Sequence, residues 1–182
     1  MDVRPERFPV ELVPHRPEWA GMALAEAGRL RQAIGPGIVV EIHHIGSTSI
    51  PGIHAKPTID LMPLVTSLAE LDRRRQALCA LGYEWRGEFG IPGRRFLTMM
   101  SGRKRLFNVH CFESALPDVD RHLAFRDYMR AHPDRARAYE AEKFRARDAQ
   151  PDDTLAYSQE KGPWIVAAER EALEWYRSRQ TV

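Results

Sequence analysis

A single carboxylate in an apolar strand does most to limit what this chain can fold into. The run Thr58 to Leu64 reads as a short β-strand, yet Asp60 stands inside it. A carboxylate taken from water without a partner is costly, so the fold must pair Asp60 or give it a cation. The preceding segment narrows the choice. Ile38 to Ile45 is rich in β-branched residues, a strand pattern, and ends on Gly46. Glycine permits positive φ and leaves no Cβ to block a ligand. Ser47, Thr48 and Ser49 follow with three hydroxyls and several backbone N–H groups, a cradle suited to phosphate oxygens. An ordinary strand–turn–helix junction is the plainer alternative. A P-loop is excluded, because five residues separate Gly46 from Gly52 and Lys56 lies four beyond it. A Gly-x-Gly-x-x-Gly dinucleotide fingerprint is lacking too.

Charge points to the same partner class once its distribution is read. The 27 Lys+Arg and 25 Asp+Glu leave a formal net charge of only +2. Between Arg73 and Arg105, however, nine basic residues face two acids, whereas from Asp118 onward twelve basic residues meet thirteen acidic ones. A local positive field favours phosphates and other anions. Arg73 to Arg75 fit a solvated helix face, while Arg94, Arg95 and Arg103 to Arg105 flank apparent strands. Nucleic acid is the least favoured partner, because the basic segment lacks interleaved exposed aromatics. A chain of 182 residues with 43% hydrophobic content forms one cored domain and is not disordered. It has no apolar run of membrane-spanning length. Cys79 and Cys111 read as buried core thiols, and Val3 to Arg7 is too charged for a secretory signal, so a cytoplasmic location is expected.

Element patterns give the order. Pro9 to Pro17 reads as an extended strand or arm and Trp19 to Ile34 as a helix stopped by Gly35. Ser67 and Glu70 form a capping box opening a helix that runs to Leu81, and Arg95–Met100 and Leu106–Phe112 form a hairpin. From Asp118 the pattern is helical, with breaks at Pro133 and Pro151. The expected class is α+β: a mixed β-sheet with flanking helices and a helical C-terminal lobe over 118–182, all within one domain, 1–182. Leu123, Phe125, Met129, Tyr139 and Trp164 are among the apolar positions expected in that lobe's core.

A Gly-Ser turn followed by an acid in the next strand resembles the polymerase-β-like nucleotidyltransferase superfamily. More closely, His44-Ile-Gly-Ser-Thr-Ser-Ile-Pro-Gly52, Lys56-Pro-x-x-Asp60 and Phe125-Arg-Asp-Tyr-Met-Arg-x-His-Pro133 resemble the GrpB family. Asn108-Val-His110, Tyr139-x-x-x-Lys143 and Tyr157-x-x-x-Lys161 extend the resemblance across nearly the whole chain. It implies that Gly46 and Ser47 hold the phosphates of a nucleoside triphosphate or other phosphate-bearing small molecule. It also implies that Asp60 belongs to a carboxylate set binding Mg²⁺ or Mn²⁺. The sequence departs from that set, since the i+2 position is Met62, a soft thioether that will not hold Mg²⁺.

Strand alternation puts Asn108 and His110 opposite Phe107, Val109 and Cys111, toward Asp60, so His110 is a candidate general base. A structural His110–Asp60 hydrogen bond is the alternative. Of His43 and His44 only His44 is kept as a site-face candidate. Thr48, Ser49, Lys56, Arg94 or Arg95, and Lys161 complete the expected phosphate-binding set. Two functions follow: metal-dependent transfer of a nucleotidyl group from a nucleoside triphosphate to a small-molecule or protein acceptor, or a nucleotide- or anion-binding accessory module without turnover. The resemblance suggests the second because GrpB-like segments also occur fused to dephospho-coenzyme A kinase.

Overall fold

The computed structural model describes residues 8–180, so the reading of Val3 to Arg7 lies outside the described residues. Helix α1 (Glu18–Ile34) buries Trp19, Ala23, Leu30 and Ile34 at helical spacing and stops where Gly35 takes φ 108°. Strands β1 (Val39–Ile45) and β2 (Ile59–Val65) then pair antiparallel through the Gly46 turn, in which Ser47–Ser49 make one 3₁₀ turn. The expected helix after Ser67 is two short ones, α2 (Leu68–Asp72) and α3 (Arg75–Ala80), parted at Arg73 and Arg74. Ser67 caps α2 by accepting from the Glu70 N–H, but the Glu70 carboxylate turns to Arg73 and does not close a capping box. Strand β3 (Tyr83–Trp85), which the sequence pattern does not announce, precedes the hairpin β4 (Arg95–Ser101) and β5 (Lys104–Glu113).

The sheet order is β1-β2-β5-β4-β3, mixed because β2 and β5 run parallel while the other pairs are antiparallel. Side chains alternate across each strand. Ile59, Leu61, Val109 and Cys111 therefore join Leu30, Leu71 and Leu78 in a core under α1 to α3. Met62, Leu64 and Phe112 point to the other face, where Val119 and Leu123 cover them. Those two belong to α4 (Pro117–Ala131), the first of four C-terminal helices with α5 (Pro133–Ala149), α6 (Thr154–Glu160) and α7 (Gly162–Gln180). The arm before α1 is extended but makes only an isolated bridge, Val13 to Ala55, outside the sheet. Cys111 is buried as expected, whereas Cys79 is exposed on α3. Among the described residues no helix is long and apolar enough to cross a membrane.

Candidate functional site

The site forms where β1 ends and β2 begins, beside the middle of β5 and beneath the C-terminal helices. Register pairs Ile45 with Asp60 and Asp60 with Asn108, so these residues share one face of the sheet. Gly46 leaves β1 at φ 70°, and a Cβ there would lie 2.6 Å from Asp60 Oδ2, so only glycine lets the turn press against the carboxylate. Asp60 Oδ1 accepts from Asn108 Nδ2 at 2.8 Å and faces His110 Nε2 at 3.4 Å. Burial alone would raise the Asp60 pKa. The hydrogen bonds from His110 and Asn108 and the charge of Lys56 outweigh it and hold the carboxyl below its usual range.

A cavity of about 230 Å³ opens in front of Asp60, lined by Gly46, Ser47, Lys56, His110, Tyr139 and Lys161, among others. Burial, and next the charge of Lys161, pushes Lys56 down to about 8. Lys161 is lowered by burial against the opposing pull of Asp60. Both amines lie against the Tyr157 ring, at 5.3 and 4.8 Å from its centroid. A third amine, Lys143, donates to the His54 carbonyl and is pushed to about 7 by burial and then by Lys161. Two desolvated amines beside one carboxylate, with Lys143 behind them and outside the cavity lining, favour an anion that restores their charge.

His110 is held on both sides. The Arg94 guanidinium, always a donor, stands 3.4 Å from His110 Nδ1. That contact assigns the Nδ1 lone pair to Arg94 and the Nε2 proton to Asp60. The imidazole therefore orients the carboxylate and offers no free lone pair to a reacting group. His122, from α4, reaches the same cavity with its ring 5.5 Å from that of His110, and burial lowers its pKa far enough to keep it neutral.

The sequence profile described as GrpB protein matches residues 9–171. The chain belongs to the GrpB family. It is 41% identical to the UPF0157 protein YqkA of Bacillus subtilis over 93% of its own length, but spans only 49% of that relative. The crystal structure of conserved protein GrpB from Enterococcus faecalis superposes with a TM-score of 0.85 at 35% identity, covering 91% of this chain and 99% of that one. A dephospho-CoA kinase of Mycolicibacterium paratuberculosis is 32% identical over 93% of this chain and 47% of that protein.

This GrpB-family structure gathers Gly46, Ser47, Lys56, Asp60, His110 and Lys161 around one cavity. It does not gather the rest of the expected set. Ser49 Oγ donates back to the Gly46 carbonyl at 2.6 Å, and the Thr48 hydroxyl is buried against His44 Nε2 at 2.9 Å. Both hydroxyls brace the turn. His44 pairs with Leu61, so it lies on the α1 face, away from Asp60, where burial lowers its pKa to about 4. Arg95 pairs with Cys111, also on the far face, and its guanidinium grips Asp72 with two hydrogen bonds at 2.7 and 2.9 Å. Arg94 is the arginine on the His110 side. Tyr139, read as core from sequence, is core by its ring, but its phenol also meets the Ser47 hydroxyl.

A resident two-ion centre does not fit these residues. Met62, where a second acid would stand, is fully buried among apolar side chains. Asp60 has one oxygen already committed to Asn108 and His110, and among the described residues no three His, Cys, Asp or Glu side chains cluster as metal ligands. One hard oxygen, Asp60 Oδ2, has no hydrogen-bond partner among the described residues.

Proposed function

We propose that this GrpB-family chain binds the phosphates of a nucleoside triphosphate, as its Mg²⁺ or Mn²⁺ complex, and transfers the nucleotidyl group to a hydroxyl-bearing acceptor. The observation that carries the proposal is the convergence of the Gly46 turn, Asp60, Lys56 and Lys161 on one cavity. The turn amides and the two amines meet phosphate oxygens and offset the charge that builds on the leaving pyrophosphate. The acceptor oxygen attacks the α-phosphorus as the α–β anhydride bond breaks, and pyrophosphate leaves with the electron pair. The acceptor's proton passes to Asp60 Oδ2, the carboxylate oxygen left free by Asn108 and His110. His110 and Arg94 position that carboxylate, a role that replaces the general base expected of His110.

A second reading has its own support. Met62 fills the place of a second acid, and dephospho-CoA kinases are among the relatives. Both favour nucleotide binding without turnover, in an accessory module. One experiment separates the two readings. α-labelled ATP is incubated with Mn²⁺ and a small-molecule extract, and label transfer and pyrophosphate release are measured. The transferase reading expects release that falls by about 10²-fold or more in Asp60→Asn. ATP binding with no release in the wild type, or release indifferent to Asp60→Asn, sinks the transferase reading and leaves the binding module.

A further inference from the structure

Beside the candidate site lies a second, larger cavity of about 500 Å³, and the two share Lys56, Thr58 and Asn108 as a common wall. Their linings differ in kind. Trp19 and Met22 of α1, with Pro57 and Leu106, supply an apolar surface on which Met22 remains 45% exposed. The β4–β5 turn contributes Arg103 and the start of β5 contributes Lys104 and Arg105, none of which makes an ion pair among the described residues, and these cations with Arg16 and Lys56 outnumber the two lining acids, Glu11 and Glu18. The Arg103 guanidinium rests against the Phe8 ring at 5.6 Å. In the shared wall the buried Asn108 Oδ1 has no hydrogen-bond partner, while its Nδ2 is tied to Asp60. A buried acceptor left unsatisfied costs stability until a donor meets it.

We infer that this cavity is the acceptor subsite, and that it takes a small molecule with a flat apolar body, an anionic group and a hydroxyl. The inference deepens the transferase reading and rests on it for the word acceptor. The apolar body lies on Met22 and Leu106, and the anionic group meets Arg103 and Arg105 as a charge-assisted pair. A hydroxyl donating to Asn108 Oδ1 stands beside Asp60, the group assigned its proton. The donor's nucleoside is the rival occupant. It carries no charge beyond its phosphates, which the smaller cavity already matches, so it gives no reason for Arg103, Lys104 and Arg105, which make no ion pair among the described residues.

The test is calorimetric titration of the full chain with 1-naphthyl phosphate, a flat apolar body bearing one anionic group, with and without saturating ATP. The wild type is expected to bind the probe in both conditions. Arg103→Gln/Arg105→Gln, at the exposed β4–β5 turn and the start of β5, is expected to weaken the probe by about tenfold or more, as the loss of a charged hydrogen bond implies, and to change ATP affinity by much less. An undiminished probe affinity in that variant overturns the inference. So does a wild type that ignores the probe, or one-for-one displacement of the probe by ATP, which would give the cavity to the nucleoside. A wild type that binds the probe and not ATP would instead overturn the nucleotide reading while leaving an anion subsite.

Discussion

At the scale of single residues, Gly46 and Asp60 are one device. The positive φ and the 2.6 Å approach to Oδ2 make Gly46→Ala a double fault. Gly52 is its natural control, because φ is 79° there but nothing lies within 4 Å of the added Cβ. Both alanine variants are expected to lose about 1–3 kcal/mol to backbone strain. Only Gly46→Ala should also abolish ATP binding, which thermal melts and calorimetry together would show. The lysines give a second signature. Lys56 titrates near 8 in the free protein, and an anion beside it raises that value. At pH 8.5 phosphate binding should therefore take up protons, and the uptake should vanish near pH 6, where the amine is already charged. Titrations in buffers of different ionisation enthalpy measure it, and Lys56→Gln should reduce it to the share that Lys161 contributes. Gly46, Ser47, Lys56 and Asp60 were legible because strand-exit chemistry and an acid in an apolar run leave local traces. The inward turn of the Thr48 and Ser49 hydroxyls leaves none, since it depends on how one 3₁₀ turn closes.

At the scale of elements, alternation along β5 was enough to aim Asn108 and His110 at Asp60, because Val109 and Cys111 mark the core face of the same strand. The facing of Arg95 was not readable in that way. It follows from β4 pairing with β5, including an irregularity between Met99 and Met100, and a one-residue slip in register exchanges faces. Arg95→Ala should accordingly leave ATP affinity unchanged and cost at most about 1 kcal/mol, the worth of a partly exposed ion pair. Denaturant melts and ATP titration check both halves of that expectation. His122 was missed because it comes from α4, on a helix whose polar side chains look solvated in sequence. Lys143 of α5 is the clearest helix contribution to pH behaviour. Its pKa of about 7 in the fold stands against 10.5 unfolded. Between those values the unfolded chain binds more protons, so stability rises with pH, and the full cost of burying the charge is felt below about 7. Lys143→Met removes this titration. Its melting temperature should be flatter between pH 7 and 10 than the wild type's, a difference worth up to a few kcal/mol across the window.

At the scale of the whole molecule, the site belongs to neither half of the chain. The sheet supplies Gly46, Asp60 and His110, while the C-terminal helices supply His122, Tyr139 and Lys161 and cover Met62 and Phe112. A phosphate ligand held by both halves should bind the native chain and not an unfolded or half-folded one. If sheet and helices form a single cooperative domain, heating gives one transition, and ligand shifts all of it. At 100 times Kd the added stability is about 2.7 kcal/mol, a rise in Tm of about 5–10 °C for a chain of this size. Scanning calorimetry with and without ATP reads this directly. Two transitions, of which ATP moves one, would show instead that the helices fold apart from the sheet. Because Tyr139 and Lys161 close the cavity from the helical side, the same scan on Lys161→Gln should keep the single transition and lose most of the shift.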